Sequence, residues 1–402
     1  FLVVGRKGNV GSVFISNEDF WPIDTAYFVR ETPCAGIRFL YYLLQSLRLE
    51  RLDRSTAIPG LNRDDAYDLP VLLPPLAEQQ RIVERIETLF AELDKGEESL
   101  RQVQTLLARY RQSVLKAAVT GELTADWRDE RAGKLEHGRD LLERILQTRR
   151  ETWEGRGKYK EPSEPDPNNL PELPDSWTWA TVDQLSVSVD YGTSARCSEN
   201  ASGTPVLRMG NIVDGALDPS NLKYLPSDHA DFPKLLLRSG DLLFNRTNSA
   251  ELVGKTAVYQ GVPQPCSFAS YLIRARLIEV SPDFVSAFIN SVYGRAWVRS
   301  VVSQQVGQAN VNGSKLKALA VPLPPLIEQE EIVSRMNEAL SLATSAEKAC
   351  QDGLSRSAAL RQSVLKDAFS GRLIPQDPSD EPASELLARI HRSQEAGRAA
   401  KR

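Results

Sequence analysis

The stretch VLLPPLAEQQRIVERI (71–86) is written almost unchanged a second time, as VPLPPLIEQEEIVSRM (321–336). The two Pro-Pro pairs lie 250 positions apart. The same offset relates RQSVLKAAVTGEL (111–123) to RQSVLKDAFSGRL (361–373). A period this long is far beyond that of a solenoid repeat. The chain therefore contains a duplicated module, in which a variable part is followed by a nearly identical part.

The nearly identical part predicts a long helix. No proline occurs between Pro75 and Pro162, and apolar residues recur every seven positions at Ile86, Leu93, Leu100, Leu107 and Val114. A second stripe precedes it by four positions, which together is the a/d pattern of a coiled coil. The prediction is a helix from Leu76 to Ala118, about 65 Å long at 1.5 Å per residue.

The second copy of this helix carries smaller residues along the same stripes. Its predicted seam comprises Met336, Ala343, Cys350, Ser357, Leu360 and Val364. A seam of large residues and a seam of small residues can interdigitate closely. We therefore expect the two helices to pack on each other; the alternative is that each lies on its own domain.

The chain divides into five segments. A first strand-rich domain is predicted at 1–72, a helical region at 73–152, a Pro-rich linker at 153–176, a second strand-rich domain at 177–321 and a second helical region at 322–402. Short strand-like runs in the second domain are interrupted by one predicted helix in SPDFVSAFINSVYGRAWVRS (281–300). The fold class is therefore α+β.

Composition narrows the class of protein. The formal net charge is −4, with 41% hydrophobic and 25% charged residues, which are ordinary globular values. No apolar run is long enough to span a membrane. The four cysteines are scattered without CxxC spacing, which favours a cytoplasmic protein with reduced thiols and argues against a zinc site.

The sequence contains no convincing catalytic or metal motif. SAELVGKT (249–256) resembles a phosphate-binding loop, but Ser249 replaces the first glycine and a strand-like run follows where such a loop needs a helix. The three histidines lie far apart, and no nucleophile with its base stands out. We expect neither catalysis nor a metal site.

Polar residues suited to nucleic acid stand out instead. FNRTNS (244–249) carries Asn245, Arg246 and Asn248, and Lys255 follows closely. Asn and Gln can bond adenine bidentately in the major groove, and Arg can bond guanine. Between residues 181 and 322 there are 13 basic and 11 acidic residues, a positive balance within an acidic chain.

Two further segments join these candidates. An amide-rich run, SQQVGQANVNGSK (303–315), contributes Gln304, Gln305 and Gln308. A basic glycine turn, GRKGNVG (5–11), contributes Arg6, Lys7 and Asn9, and it is the partner of 246–254 in the duplication. Such a turn can bring backbone amides against phosphate oxygens, but it is equally a plain hairpin turn.

The doubled Pro-Pro-Leu-x-Glu-Gln helix start, each time after a strand-rich variable domain, resembles the specificity subunit of type I restriction-modification systems. LPDSWTWATVDQL (173–185), TPVLRMGNIVDGAL and GDLLFNRTNS also resemble the opening of that family's target-recognition domains. The resemblance implies two target-recognition domains separated by two long antiparallel coiled-coil helices. Each domain would read one half of a bipartite double-stranded DNA site.

The resemblance also implies partners. The specificity subunit would bind no cofactor and have no catalytic centre. Two methyltransferase subunits would bring S-adenosylmethionine and methylate adenine, and two restriction subunits would bring ATP- and magnesium-dependent translocation and cleavage. Helix length would set the gap between half-sites. The alternatives are a coiled-coil scaffold for protein interactions, and a nucleotide-dependent enzyme using Gly254-Lys255-Thr256.

The first domain departs from the family pattern. It begins at Phe1 inside the equivalent of LLFNRTNSAELVG, and no initiator Met is present. We therefore expect a fragment with a truncated first target-recognition domain.

Overall fold

A computed structural model describes residues 1–18, 20–29, 34–53, 59–153, 157–166, 168, 170–305 and 308–399. These residues form two compact units. Unit 1 comprises Phe1–Thr105 with Glu347–Arg402, and unit 2 comprises Leu106–Ala346. Two long helices each contribute one part to each unit.

The elements follow in chain order. The chain begins with β1 (Leu2–Gly5), β2 (Val13–Ile15), β3 (Ala26–Val29), α1 (Ile37–Ser46), α2 (Arg63–Tyr67), α3 (Leu76–Thr120), α4 (Ala125–Asp129) and α5 (Gly138–Glu151). It continues through β4 (Thr178–Thr181), β5 (Ser186–Tyr191), β6 (Thr204–Leu207), β7 (Ile212–Val213), β8 (Ala216–Leu217), β9 (Lys223–Leu225), β10 (Leu242–Asn245), β11 (Thr247–Asn248), β12 (Thr256–Val258), β13 (Ser267–Phe268) and β14 (Leu272–Leu277). It ends with α6 (Pro282–Asn290), α7 (Val292–Val301), β15 (Ser303–Gln305), β16 (Gln308–Asn310), α8 (Gly313–Lys317), β17 (Ala320–Leu323), α9 (Leu326–Phe369) and α10 (Ala383–Ala399).

The two long predicted helices are confirmed, with α3 two residues longer than predicted. Each is followed closely by a glycine in the left-handed region, Gly121 at φ 80° and Gly371 at φ 74°. Glycine terminates helices in this conformation because it has no Cβ to clash. Among the described helices, none is both long and apolar enough to cross a membrane. The α+β class is also confirmed.

Within unit 1, α3 and α9 contact each other side by side. Arg361 pairs with Asp94 (2.5 Å) and with Glu97 (3.2 Å), and the Ser357 hydroxyl donates to Glu97 (2.7 Å). A Cβ on Gly353 would lie 2.9 Å from Leu100. Residue numbers rise on one helix as they fall on the other, so these parts run antiparallel.

Within unit 2, the other parts of α3 and α9 also meet. Val114 of α3 shares a core with Ile332 and Met336 of α9. The Arg111 guanidinium donates to the Thr344 hydroxyl (2.9 Å). Both units therefore contain a contact between the duplicated helices.

The predicted seam is followed in part. Its buried members are Ile86, Val114, Met336, Ala343, Cys350 and Ser357, and its half-buried members are Leu93, Leu100, Leu107 and Val364. The prediction was wrong for Leu360, because its side chain is 52% exposed. The contact stripe continues through half-buried Arg361 and buried Leu365 instead. A straight helix has 3.6 residues per turn and drifts away from a strict seven-residue repeat.

The core of unit 2 is a four-stranded antiparallel sheet, ordered β12-β10-β14-β5. Side chains alternate between faces along β10, as strand geometry requires. Leu242 and Phe244 join the core that contains Val114 and Met336, whereas Leu243 joins a second core around Phe268. Smaller sheets surround this one, ordered β13-β6-β9, β11-β16-β15, β17-β4 and β7-β8.

Unit 1 contains an antiparallel sheet ordered β2-β1-β3. Leu2 pairs with Ile15 on one side and with Val29 on the other. Leu2 and Val4 are buried in a core that includes Leu49 of a short 3₁₀ turn.

The prediction of one helix across 281–300 is wrong, because this segment forms two helices, α6 and α7, with a break at Ser291. Ser291 ends α6 with its hydroxyl donated to the Phe288 carbonyl (2.7 Å) and begins α7 by accepting the Tyr293 amide (3.3 Å). Its ψ of 171° is extended, which interrupts the helical backbone. Apolar periodicity continued across this break, so it did not reveal the local serine cap.

The repeated Pro-Pro corner is a clamp between a long helix and a short one. In unit 2 the Gln329 Nε2 donates to the Pro324 carbonyl (2.8 Å). The Gln329 Oε1 accepts the amide of Ser281 (2.8 Å), which is the N-cap of α6. The side chain is fully buried and thus joins the start of α9 to the start of α6.

The first copy of the corner builds the same clamp in unit 1. The Gln79 Nε2 donates to the Pro74 carbonyl (2.9 Å) and also to the Cys34 carbonyl (3.0 Å). Its Oε1 accepts the amide of Gly36 (3.4 Å), the N-cap of α1. The duplicated sequence therefore repeats one tertiary joint.

Candidate nucleic-acid interface

A cavity of about 690 Å³ opens beside the end of β10 in unit 2. It is lined by Arg208, Met209, Gly210, Asn211, Ile212, Val213, Asn221, Asn245, Asn248, Leu252, Lys255 and Tyr271. Two cations, several amides and an aromatic ring thus share one concave surface. This is side-chain chemistry that can contact phosphates and base edges.

Arg208 is held at this cavity by two asparagines. Its Nη2 donates to both the carbonyl (3.1 Å) and the side-chain Oδ1 (3.0 Å) of Asn221. The Asn211 Oδ1 accepts the Arg208 amide (2.8 Å), which closes a short 3₁₀ turn. These contacts orient the guanidinium before any ligand arrives.

Lys255 lies on the turn between β10 and β12. The side chain is half-buried, and its amine has no partner among the residues that the structure describes. Asn248 lies on the neighbouring β11, where its Oδ1 accepts the Ser249 amide (2.8 Å) and leaves its NH₂ group available. Lys255 is therefore the cation of the cavity most available to a ligand.

Asn245 was predicted to read a base edge, and that role stays a prediction. Its side chain lines the cavity but is buried, and its Oδ1 has no partner among the described residues. The residue is 1% exposed, and its Nδ2 donates to the Leu252 carbonyl (3.3 Å). Its backbone bonds the Lys255 carbonyl (2.9 Å) and the Gly254 amide (2.7 Å). Asn245 therefore shapes the turn that presents Lys255.

Arg246 is held more tightly than a free surface arginine. Its guanidinium carbon lies 4.8 Å from the centre of the Tyr191 ring, and its Nη1 donates to the Ser270 carbonyl (3.3 Å). Tyr191 is positioned in turn by its hydroxyl oxygen, which accepts the amide of Gly313 (2.7 Å). The arginine thus has a fixed direction.

The amide-rich run forms a hairpin of β15 and β16 beside β11. Asn248 pairs with Ala309 across β11 and β16, so the run adjoins Asn248. The side chains of Gln304, Gln305 and Gln308 lie outside the described residues, so their role stays a prediction. Asn310 donates to the Thr247 hydroxyl (2.7 Å) and serves the hairpin itself.

The basic glycine turn of unit 1 is partly neutralised. The Lys7 amine pairs with the Asp24 carboxylate (3.1 Å), and this bond lowers the pKa of Asp24. Asn9 is exposed, and its carbonyl accepts the Ser12 amide (3.2 Å) within the turn. Arg6 donates through Nη1 to the Asp24 carbonyl (3.0 Å).

The sequence did not reveal Arg208, Asn221, Tyr191 or Tyr271 as site residues. They lie 20 to 60 positions from the FNRTNS stretch and reach it only through sheet pairing and the β7–β8 region. The one local signal was the RMGN stretch at 208–211. The reading of 249–256 as a nucleotide loop finds no support, because β12 begins at Thr256 where a helix would be needed.

The sequence matches the family described as "Type I restriction modification DNA specificity domain" over residues 1–102 and 193–353, more than half of the chain. The chain belongs to this family.

Curated members of the family give the extent of the likeness. The EcoKI specificity subunit of Escherichia coli K12 is 29% identical over 321 residues, which cover 79% of this chain and 60% of that subunit. The StySPI specificity subunit of Salmonella potsdam has the same identity and the same coverage. The EcoDI specificity subunit of Escherichia coli is 26% identical over 359 residues, covering 88% of this chain and 74% of that subunit. The chain thus spans 60% of the length of the first two relatives.

A solved structure shares the fold. A chain described under "Structural basis underlying complex assembly and conformational transition of the type I R-M system" superimposes with a TM-score of 0.59 at 19% identity, covering 92% of this chain and 82% of that one. The likeness concerns the fold.

Proposed function

We propose that this chain is a sequence-specific DNA-binding specificity subunit of a type I restriction-modification complex, and that it has no catalytic role of its own. Family membership supports the class. The observation that carries DNA reading is the cavity of unit 2. It is lined by pre-oriented Arg208, by Asn248 and by Lys255, whose amine has no partner among the described residues. Unit 2 would read one half of a bipartite double-stranded site.

The proposed partners follow from the same reading. Two methyltransferase subunits would supply S-adenosylmethionine and methylate adenine, and two restriction subunits would supply ATP- and magnesium-dependent translocation and cleavage. This chain would bind none of these cofactors. Its contribution would be the choice of DNA sequence.

Selection from a random library of duplex DNA tests the function. The full chain is expected to enrich a short fixed sequence, with affinity that falls linearly on a log–log plot against salt as counterions are released. A chain that enriches no sequence and binds DNA without salt dependence would instead support the coiled-coil scaffold.

Lys255→Ala tests the cavity as the reading surface. If the amine contacts a base edge, the variant should lose about 1–3 kcal/mol of binding free energy and relax the preference at one position of the site. The control is Lys317→Ala, because Lys317 pairs with Asp183 (3.4 Å) and does not line the cavity. Equal behaviour of the two variants would argue against the cavity.

We also propose that the lengths of α3 and α9 set the gap between the half-sites. One heptad adds about 10 Å of helix, or about three base pairs at 3.4 Å each. Inserting one heptad next to Gly121 and one next to Gly371 should lengthen the recognised gap and leave both half-sites unchanged. Sequencing of DNA methylated by the assembled complex measures this, and an unaltered gap would contradict it.

A further inference from the structure

Arg246 sits in a backbone frame that fixes it on both sides. Its amide donates to the Tyr271 carbonyl (3.0 Å), and its own carbonyl accepts the Val311 amide (2.9 Å). Its Nη1 donates to the Ser270 carbonyl, one residue before Tyr271. The Tyr191 ring supports the guanidinium from one face.

Arg6 of unit 1 sits in the same frame. Its amide donates to the Thr25 carbonyl (2.9 Å), and its carbonyl accepts the Leu61 amide (2.8 Å). Its Nη1 donates to the carbonyl of Asp24, one residue before Thr25. The Tyr27 ring lies 5.7 Å from its guanidinium carbon. The three hydrogen bonds made by the arginine of unit 2 therefore have counterparts in unit 1. In each unit a tyrosine ring also lies near the guanidinium, Tyr191 from β5 and Tyr27 from β3.

The turns beside the two arginines also share a backbone hydrogen bond. The Gly5 amide donates to the Ser12 carbonyl (2.8 Å), as the Asn245 amide does to the Lys255 carbonyl (2.9 Å). Ser12 and Lys255 are thus equivalent positions with different side chains. The arginine is kept while the residues around it vary.

This pattern separates two kinds of DNA contact. Two domains that read different half-sites contact different bases. A side chain that both domains hold in the same geometry therefore suits a target that is the same in both half-sites. Phosphate groups are such a target, since they are alike at every step and fix the register of the protein. Guanidinium groups suit them because they are planar, permanently charged and rich in donors.

Both guanidinium groups retain donors for such a contact. Each uses Nη1 on a backbone carbonyl, and no other bond is made by either guanidinium to the residues that the structure describes. In Arg246 the Nε is also buried without a partner among those residues. The remaining Nη2 is held in direction by the carbonyl and the ring.

We propose that Arg6 and Arg246 are equivalent phosphate-contacting residues, each of which anchors the DNA backbone in its own unit while neighbouring positions that differ, such as Lys255, read the bases. This inference rests on the proposed function. It also replaces the sequence-based prediction that Arg246 reads a base edge.

Binding of the full chain to its selected duplex and to a panel of single-base variants tests the proposal. Arg246→Ala and Arg6→Ala should each lower the affinity severalfold by the same factor for every duplex, and each should reduce the salt slope by about 1. Arg246→Lys, which keeps the charge, should retain the slope. Arg139→Ala, an exposed arginine on α5, is the control and should change neither quantity.

The outcomes are distinguishable. An altered preference at one base position, or an unchanged salt slope in folded Arg246→Ala and Arg6→Ala, would overturn the inference and leave the proposed function intact. A purely structural role would lower the melting temperature of Arg246→Ala and Arg246→Lys alike without changing the slope. If Arg246→Ala does not fold, the salt slopes of Arg6→Ala and Arg246→Lys still test the proposal. A parent chain that binds no DNA would contradict both the proposed function and this inference.

Discussion

Glu328→Ala is expected to lower the free energy of unfolding of unit 2 by about 3–5 kcal/mol, the usual effect of breaking a buried charged pair. The Glu328 carboxylate is fully buried and accepts from the Arg128 guanidinium (2.5 Å), the Trp177 indole (2.9 Å) and the Thr124 hydroxyl (2.8 Å). Its removal would leave the Arg128 charge, 18% exposed, without its counter-ion.

Glu78→Ala is the matched control for this variant. Glu78 occupies the same place in the first Glu-Gln pair and is 4% exposed, yet its carboxylate accepts no hydrogen bond from the described residues. The residues 250 positions after Thr124 and Arg128 are Ile374 and Pro378, which offer no side-chain donor. Its loss should cost no more than about 1 kcal/mol, the worth of an acidic residue in a first helical turn.

Urea denaturation measures the difference, followed by tryptophan fluorescence for Glu328→Ala in unit 2 and by circular dichroism for Glu78→Ala in unit 1. Of the six tryptophans, five lie in unit 2, so the fluorescence reports mainly on that unit: Trp127, Trp153, Trp177, Trp179 and Trp297. A loss for Glu328→Ala no larger than that for Glu78→Ala would show that the buried cluster does not stabilise unit 2.

Gln329→Ala should have the second largest effect, about 2–4 kcal/mol in unit 2. The substitution would leave the Ser281 amide and the Pro324 carbonyl without the partner they now have at 2.8 Å, and each unsatisfied buried group costs about 1–3 kcal/mol. Because Ser281 is the N-cap of α6, the variant should also loosen the joint between α6 and α9.

The same denaturation experiment tests this joint. Glu330→Ala changes an exposed residue of the same helical turn and should stay within about 0.5 kcal/mol of the parent. Gln79→Ala should destabilise unit 1 in the same direction, which circular dichroism can follow. If Gln329→Ala behaved like Glu330→Ala, the repeated corner would not be a clamp.

The sequence predicted those features that depend on neighbours along the chain. Apolar spacing and terminal glycines were sufficient for α3 and α9, because a helix closes its hydrogen bonds within four residues. Periodicity failed where local capping competed with it, at Ser291. It also failed at Leu360, where the geometry of a straight helix shifted the contact stripe by one residue.

The candidate site was predicted less completely, and the reason lies in distance along the chain. The FNRTNS stretch contributes Asn248 and the buried Asn245 to the lining of the cavity. Arg208 enters the same cavity from a separate turn that only sheet pairing brings near. No local pattern distinguishes an amide that faces a ligand from one that supports a turn.

By itself, the sequence determined the duplication, the two long helices and the family, because repeats and helical periods are written residue by residue. The tertiary structure alone decided which polar side chains are available and which are already bonded. Gln79 and Gln329 became clamps, Asn245 became a turn support, and Lys255 was left without a partner among the described residues. Burial and pairing arise from contacts between segments far apart in sequence, and these exist only once the chain has folded.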